Sequence, residues 1–480
     1  MVASAPNTKT KPTAAQRKII EDWAGLSDKA SERQVENALV FPMIAALGFK
    51  PHQIVSSNIA NTGESGLIPD ALIYQDLNQP PVLVIENKKR HPALANASSA
   101  DFVGACQQSS YYKEAVGYIS NGIQQYLNIN LVKPQYLAPY GLVCNGDFFQ
   151  LWRRVDGLIF PLTPIQRMTK TSIPELMRQL GYCLGNPQPA LVTTVWNRKG
   201  GVAKTTNTLN IGATLALAGK KVLLVDLDPQ NDLTRGLGLE PASFPDYLSS
   251  CTNKFELREF DAMKSILHGA IQEKSFPTSD GQSFELHVLS ASREHLENSR
   301  DRGQAKNQIE KSTNVRFEPV FKQIVHCLKQ DYDYILIDVS PSIDALSKAV
   351  LFTCDTVLIP SNLSEKALHH AIEVDQLAIP SMRELRARGE RLHLAPWSLG
   401  IVYSNCPTNS DNLIKNTIEP ELQKRGFTGK RYKERLHTYT QITAAEFKHM
   451  PVVCWQNSPI TNCYTQLVNK VFLSHNFTDR

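Results

Sequence analysis

The sequence predicts an α/β protein of two folded units, the second of them a doubly wound parallel sheet. Three observations carry that expectation. Short apolar runs recur from residue 190 onward, "ALVTTVW", "KVLLVDLD", "LHVLSA", "YDYILIDV", "TVLIPSN" and "LGIVYSN", flanked by stretches of helical spacing. Runs this apolar belong to parallel strands covered on both faces. A glycine-rich segment, "NRKGGVAKTT" (197–206), stands between the first run and its helix. A proline-rich passage with Pro161, Pro164, Pro174, Pro187 and Pro189 sets these runs apart from an earlier α/β region.

Taken in order, residues 1–19 are small, polar and proline-containing at their start and are expected to form a disordered tail. "SERQVENALVFPMIAALGF" then places Val35, Leu39, Met43 and Ile44 on one helical face. "LIPDALIY" (67–74) and "PVLVIENKKR" (81–90) read as the strands of a hairpin around the turn-forming "QDLNQPP". A helix through "DFVGACQQSSYYKEAV" and a strand pair within "YGLVCNGDFFQLWRR" complete a first unit over residues 20–160. Residues 161–188 are expected to be a linker with one short helix, "PELMRQLGYCL", and residues 189–480 to form the second unit. Within it, strand, glycine loop, helix and strand follow one another, the order of a right-handed parallel unit.

Composition bounds the function. A chain of 480 residues with 42% hydrophobic and 20% charged residues is ordinary for a globular protein of two or three domains. The net charge of +5 permits a nucleic-acid partner without requiring one. The nine cysteines are scattered singly with no C-x-x-C arrangement, which disfavours a thiolate metal site or redox motif and suits a reducing cytosol. No apolar run is long enough to span a membrane, and the basic start lacks the apolar stretch of a secretory signal. The protein is expected to be cytoplasmic.

The glycine loop carries chemistry that its residue types explain. Gly200 and Gly201 make a tight turn, with Val202 and Ala203 completing it, so that backbone N–H groups close around phosphate oxygens at the start of a helix. Lys204 is placed to reach β/γ-phosphates, and Thr205, followed by Thr206, to offer a hydroxyl to Mg²⁺. A second lysine, Lys199, precedes the glycines and exceeds what a phosphate loop needs.

"KGGVAKTT" resembles the deviant Walker A motif of the ParA/MinD-type ATPases. "VLLVDLDPQNDLTRGLG" (222–238) resembles the family's second motif, "YDYILIDVSPS" (332–342) its Walker B strand, and "LIPSNLSEKAL" (358–368) the segment after the next strand. The resemblance implies ATP and Mg²⁺ as cofactors and an ATP-bound homodimer in which Lys199 contacts the partner's nucleotide. It implies that Asp228 orients the attacking water, that Asp226 supports the loop or the metal shell, that Asp338 holds Mg²⁺ through water, and that Asn405 sits near adenine. Ser340 stands where the family usually has proline, and Ala203 where glycine is commoner. Partition-type members bind DNA non-specifically through basic C-terminal residues. Here "QKRGFTGKRYKER" supplies Lys424, Arg425, Lys430, Arg431, Lys433 and Arg435, a phosphate-neutralising patch or a solvated face. The final "CYTQLVNKVFLSHNFTDR" reads as a packing helix rather than a membrane anchor.

The first unit carries a second constellation. Asp70 in "IPDALIY" and Glu86 with Lys88 in "VIENKKR" lie on opposite arms of the hairpin, where acidic groups converge on one metal ion and the lysine faces the attacked phosphate. This is the PD-(D/E)xK nuclease pattern. Glu32 and Glu36, one helical turn apart just upstream, are candidates for a further carboxylate, and Gln107 with Tyr111 follow at i, i+4. The order is similar to the N-terminal nuclease domain of type I restriction motor subunits. It implies a restriction-endonuclease-like α/β domain before the P-loop NTPase domain, and a Mg²⁺-dependent endodeoxyribonuclease activity. The competing reading keeps this domain only as a DNA- or partner-binding module. A partner protein that stimulates ATP hydrolysis is also expected, with roles in partitioning, mobile-element maintenance or defence.

Overall fold

The computed structural model of the chain describes residues 11–61, 66–186, 189–243, 245–300, 317–389, 394–455, 458–474 and 476–477. The chain divides into two compact units, residues 1–188 with 387–394 and 471–480, and residues 189–386 with 395–470.

The first unit is a mixed sheet in the order β1-β2-β3-β4-β5-β6-β16, with β7 paired to β5. Its strands are β1 (Ile54–Val55), β2 (Ala71–Ile73), β3 (Leu83–Asn87), β4 (Tyr140–Cys144), β5 (Phe148–Val155), β6 (Leu158–Pro161), β7 (Gln166–Arg167) and β16 (Asn476–Phe477). The expected hairpin is present: β2 and β3 are antiparallel, with Ala71 opposite Ile85. β3 then pairs in parallel with β4, and β4 antiparallel with β5. A parallel pair requires a crossover, and the intervening helices supply it.

Three expectations are corrected here. A helix already begins at Ala14 inside the expected tail, because Thr13 and Gln16 form a capping box; residues 1–10 lie outside the described residues. The helix expected across 102–116 is two helices, Phe102–Gln108 and Ser110–Val116, because Ser109 takes extended dihedrals and caps the second with its hydroxyl. Gln107 and Tyr111 therefore do not share one helix face. The segment 161–188 is no linker. Its helix Ser172–Gly185 buries Ile173, Leu176, Met177, Leu180, Cys183 and Leu184 against Val35, Leu39, Met43 and Ile44, the apolar face read from the sequence.

The second unit is an eight-stranded sheet in the order β10-β11-β9-β12-β8-β13-β14-β15. The six expected strands are β8 (Leu191–Val195), β9 (Val222–Asp226), β11 (Ser283–Ser290), β12 (Tyr334–Asp338), β13 (Thr356–Ser361) and β14 (Trp397–Cys406). All six pair in parallel, and β8, β9, β12 and β13 are wholly buried. Two strands are additions at the edges: β10 (Gln272–Pro277), antiparallel to β11, and β15 (Arg431–His437), parallel to β14. No helix among the described residues is long and apolar enough to cross a membrane.

Leu176→Ala tests whether the helix Ser172–Gly185 belongs to the first core. The expected cost is about 2–5 kcal/mol, the usual penalty for a buried leucine cavity, read as an earlier denaturant transition of the first unit. A true linker would show almost no change.

Candidate nucleotide-binding site and carboxylate cluster

Strand β8 ends at Val195, and the chain turns through residues 196–203 into the helix Lys204–Leu217. The turn uses the left-handed region twice, at Gly201 (φ 72°) and Ala203 (φ 62°). Glycine adopts this conformation freely, whereas alanine pays roughly 1–2 kcal/mol for it. The backbone amides from Gly200 through Thr206 have no protein acceptor among the described residues, leaving a ring of N–H groups at a helix start. Such a nest is built for an anion. Lys204 is buried, and its Nζ donates to the Lys199 carbonyl at 3.3 Å. Burial lowers its pKa, and the nearby Asp338 and Asp228 oppose that shift. Asn197, which sequence reasoning passed over, anchors the loop: its Nδ2 donates to the Pro360 carbonyl at 2.8 Å and its Oδ1 accepts from the Lys199 amide. A polar residue closing a buried strand was the available signal.

Two carboxylates face this loop from adjacent strands, since Asp338 of β12 is in register with Asp226 of β9. Asp226 is fully committed: it accepts from the Asp228 amide, the Thr234 amide at 3.0 Å and the Thr234 hydroxyl at 2.6 Å. Of its two expected roles, the geometry favours bracing the loop that carries Asp228 over holding a metal. Asp338 is 1% exposed, and among the described residues neither of its oxygens has a hydrogen-bond partner. Burial, reinforced by the Asp226 charge, raises its pKa well above the usual range, while Thr205 and Lys204 pull the other way. A buried carboxylate without a partner, beside a threonine hydroxyl and a lysine, is what a hydrated Mg²⁺ ion would complete. Asn405, also left-handed at φ 53°, reaches the Gly201 carbonyl at 3.4 Å, so it does stand at the loop. Ser340 is hydrogen-bonded to Ser342, which in turn donates to Asp344, the cap of helix Ala345–Thr353; Trp196 donates to the Ser340 carbonyl. The residue in the proline position thus feeds a side-chain chain of hydrogen bonds.

Lys199 is half-buried and makes no ion pair among the described residues. Its neighbour Arg198 instead bonds Glu373 at 3.3 Å, a carboxylate shared with His369 and His370.

Residues 190–378 match the family model of the AAA domain. The chain is 33% identical over 177 residues to the sporulation initiation inhibitor protein Soj of Bacillus subtilis, covering 37% of this chain and 60% of that protein. It is 33% identical over 165 residues to the chromosome-partitioning ATPase Soj of Treponema pallidum, covering 34% and 54%. Over residues 190–378 the second unit is thus similar to ParA-type partitioning ATPases. The chain spans little more than half the length of these curated relatives. The solved apo structure of Cyanothece McdA aligns over 59% of this chain and 99% of its own, at 17% identity and a TM-score of 0.43.

The basic segment is corrected by the structure. Arg425 bonds Glu421 and Glu365, Arg431 bonds Glu419 at 2.9 Å, Arg435 bonds Asp411, and Lys430 lies over the Tyr432 ring. Only Lys424 and Lys433 of the six lack a recorded acidic or aromatic partner among the described residues. The segment is half edge strand, with Tyr432 and Leu436 turned inward, and not one free cationic face.

In the first unit the sequence-predicted carboxylates do come together. Asp70, just before β2, accepts from the Asn87 amide at 2.5 Å. Lys88 Nζ lies 2.5 Å from Glu86 and 3.5 Å from Glu32. Glu36 faces the same group: burial, then the Asp70 and Glu32 charges, push it up to about 7. Burial and the Asp70 charge push Glu86 up to about 8 against the pull of Lys88, and burial also raises Asp70. One oxygen of Glu86, 3% exposed, has no partner. Lys88, however, already pairs with two of them, Glu86 and Glu32, and among the described residues no three of these carboxylates bring oxygens within 4.8 Å of one another. Tyr111 touches the flank of the site, its ring 5.2 Å from His91 and under Lys89; Gln107 is exposed and away from it. Unforeseen from sequence, Arg90 pairs with buried Asp147 at 2.7 Å and fixes the chain leaving β3.

Two outcomes follow from these charges. Asp338→Asn removes a buried, unpaired carboxylate whose folded pKa lies above its unfolded one. The ligand-free variant should gain on the order of 1–3 kcal/mol at neutral pH, the gain shrinking away as pH falls toward 4, read from melting curves at stepped pH. Glu36 and Glu86 likewise hold protons longer when folded, so without metal the first unit should lose stability as pH rises from about 4.5 to 8. Lys88 stays charged over this window and adds no slope. Melting curves at stepped pH should show the decline, and Glu86→Gln should flatten it.

Proposed function

We propose that the protein is an ATP-dependent dimerising ATPase that binds DNA and whose first unit is a Mg²⁺-dependent nuclease module. The observation that carries the ATPase reading is the Asp338 carboxylate, without a partner among the described residues, facing Lys204, Thr205 and a ring of amides that likewise lack acceptors among them. In this reading the amides of residues 200–206 cradle the phosphates, Lys204 binds the β/γ-phosphates, Thr205 and Asp338 hold hydrated Mg²⁺, and Asp228 orients water. Asn405 lies at the edge of the nucleotide. ATP supplies the charge that the site is built to neutralise. Lys199, without a carboxylate partner among the described residues, is available to a second copy's nucleotide, which makes ATP part of the dimer contact. Lys424 and Lys433 contribute non-specific phosphate contacts, so DNA affinity should fall steeply with salt. The cytoplasm, at nucleoid or plasmid, is the expected location, with a partner protein stimulating hydrolysis. Partitioning, mobile-element maintenance and defence all fit.

The nuclease reading is supported by the β2–β3 hairpin, the parallel β4 beyond a helical crossover, and the convergence of Glu32, Glu36, Asp70, Glu86 and Lys88. One observation favours the alternative, a DNA- or partner-binding module without cleavage: the Lys88 ammonium sits where a metal would. Supercoiled plasmid with Mg²⁺, with and without ATP, separates the two. Nicking abolished by Asp70→Ala and by Lys88→Ala supports cleavage; intact plasmid with an ATP-dependent gel shift supports the binding module.

Lys204→Ala should lose nucleotide binding. Lys199→Ala should retain ATP and remain monomeric by light scattering; an ATP-bound dimer of that variant would refute the shared-nucleotide contact.

A further inference from the structure

The hairpin β10–β11 carries a donor set that the nucleotide site does not use. Glu273 of β10 stands directly opposite His287 of β11. Glu285 precedes His287 by two positions, so its side chain leaves the same face of the sheet. Nε2 of His287 lies 3.4 Å from a Glu285 oxygen, Nδ1 lies 3.6 Å from a Glu273 oxygen, and one donor atom from each residue falls within 4.8 Å of the other two. Zn²⁺ holds imidazole and carboxylate donors at roughly 2.0–2.2 Å in tetrahedral array, which puts neighbouring donors about 3.4 Å apart.

A residue outside the set orients it. Tyr332, 5% exposed, brings its hydroxyl to 3.0 Å from Nδ1 of His287. When Nδ1–H donates to that hydroxyl, the Nε2 lone pair is left facing Glu285. Lone pair against carboxylate is repulsive, and a cation between them reverses the sign. The same arrangement, a ligating imidazole tied by its other nitrogen to a fixed acceptor, sets tautomer and ring angle in protein metal sites. Glu273, its side chain 62% exposed, is free to swing its carboxylate into a third position.

The geometry points to a divalent metal site of the Zn²⁺ class formed by Nε2 of His287 with Glu285 and Glu273, and positioned by Tyr332. One nitrogen and two oxygens suit Zn²⁺ better than Mg²⁺, which prefers oxygen alone. The ion ties β10, held in the sheet only through β11, to its neighbour by side chains as well as backbone. The site is independent of both the nucleotide and the carboxylate readings.

The test uses the full chain, stripped with chelator and then given Zn²⁺ in excess Mg²⁺, so that all-oxygen sites are already filled. Wild type should retain one Zn²⁺ per chain after gel filtration, and His287→Gln and Glu285→Ala none. Tyr332→Phe should keep the ion with roughly 10-fold weaker affinity. Amide exchange over residues 272–277 should slow on adding Zn²⁺ in wild type alone. Metal-free melting curves establish that the variants are folded. Wild type retaining no Zn²⁺, or His287→Gln retaining as much as wild type, would overturn the site and leave a hydrogen-bonded histidine between two glutamates.

Discussion

Two carboxylates lie side by side at the carboxyl ends of adjacent buried strands, and the second unit is organised around that juxtaposition. The parallel register of β9 and β12 sets Asp226 against Asp338. In so dry a place two negative charges cannot both persist uncompensated. Asp226 is compensated internally by three hydrogen bonds, one from the loop after β9 and two from Thr234 in the helix that follows. Asp338 is not: among the described residues neither of its oxygens finds a partner, and the proposed role in holding Mg²⁺ rests on that deficit. Asn197 and Trp196, which tie the loop to β13 and to Ser340, keep the amide ring aimed at the same point.

The first unit reaches a similar electrostatic problem by another route. Four carboxylates gather around β2 and β3, and Lys88 is drawn in among them. The internal cation relieves the repulsion in part, and the raised pKa values of Glu36 and Glu86 measure what it leaves unrelieved. The two centres thus differ in a way that matters for chemistry. One leaves a buried carboxylate without a partner among the described residues; the other carries its own counter-ion, which a metal would have to displace.

Much of this was legible in the residues. The six apolar runs became the buried parallel strands because a strand covered on both faces has little room for polar side chains. Val35, Leu39, Met43 and Ile44 signalled a core face correctly, yet their partner helix was mistaken for linker, since prolines at its flanks outweighed its apolar face in a local reading. β10 and β15 escaped because edge strands alternate: "RYKERLH" shows the core only Tyr432 and Leu436. The same alternation disguised the basic segment, whose arginines find acids far away in sequence, Asp411 and Glu365 among them. No local pattern announces such pairs. The kink at Ser109 shows the opposite failure, where a single side-chain cap divided what composition presented as one helix. The carboxylate cluster was foreseeable because two of its members, Asp70 and Glu86, lie on the two arms of one hairpin.

The first unit is closed by a strand that lies far along the chain from the rest of its sheet. β16 adds to β6 in parallel, with Asn476 beside Leu158, and Val471 and Phe472 are buried. During synthesis the amino-terminal sheet therefore waits, one strand short, while nearly three hundred intervening residues emerge and fold as a body of their own. Maturation runs from the inside outward: the intervening body can be whole before the sheet whose strands flank it in sequence is sealed, so a chain cut short of β16 leaves that sheet unfinished.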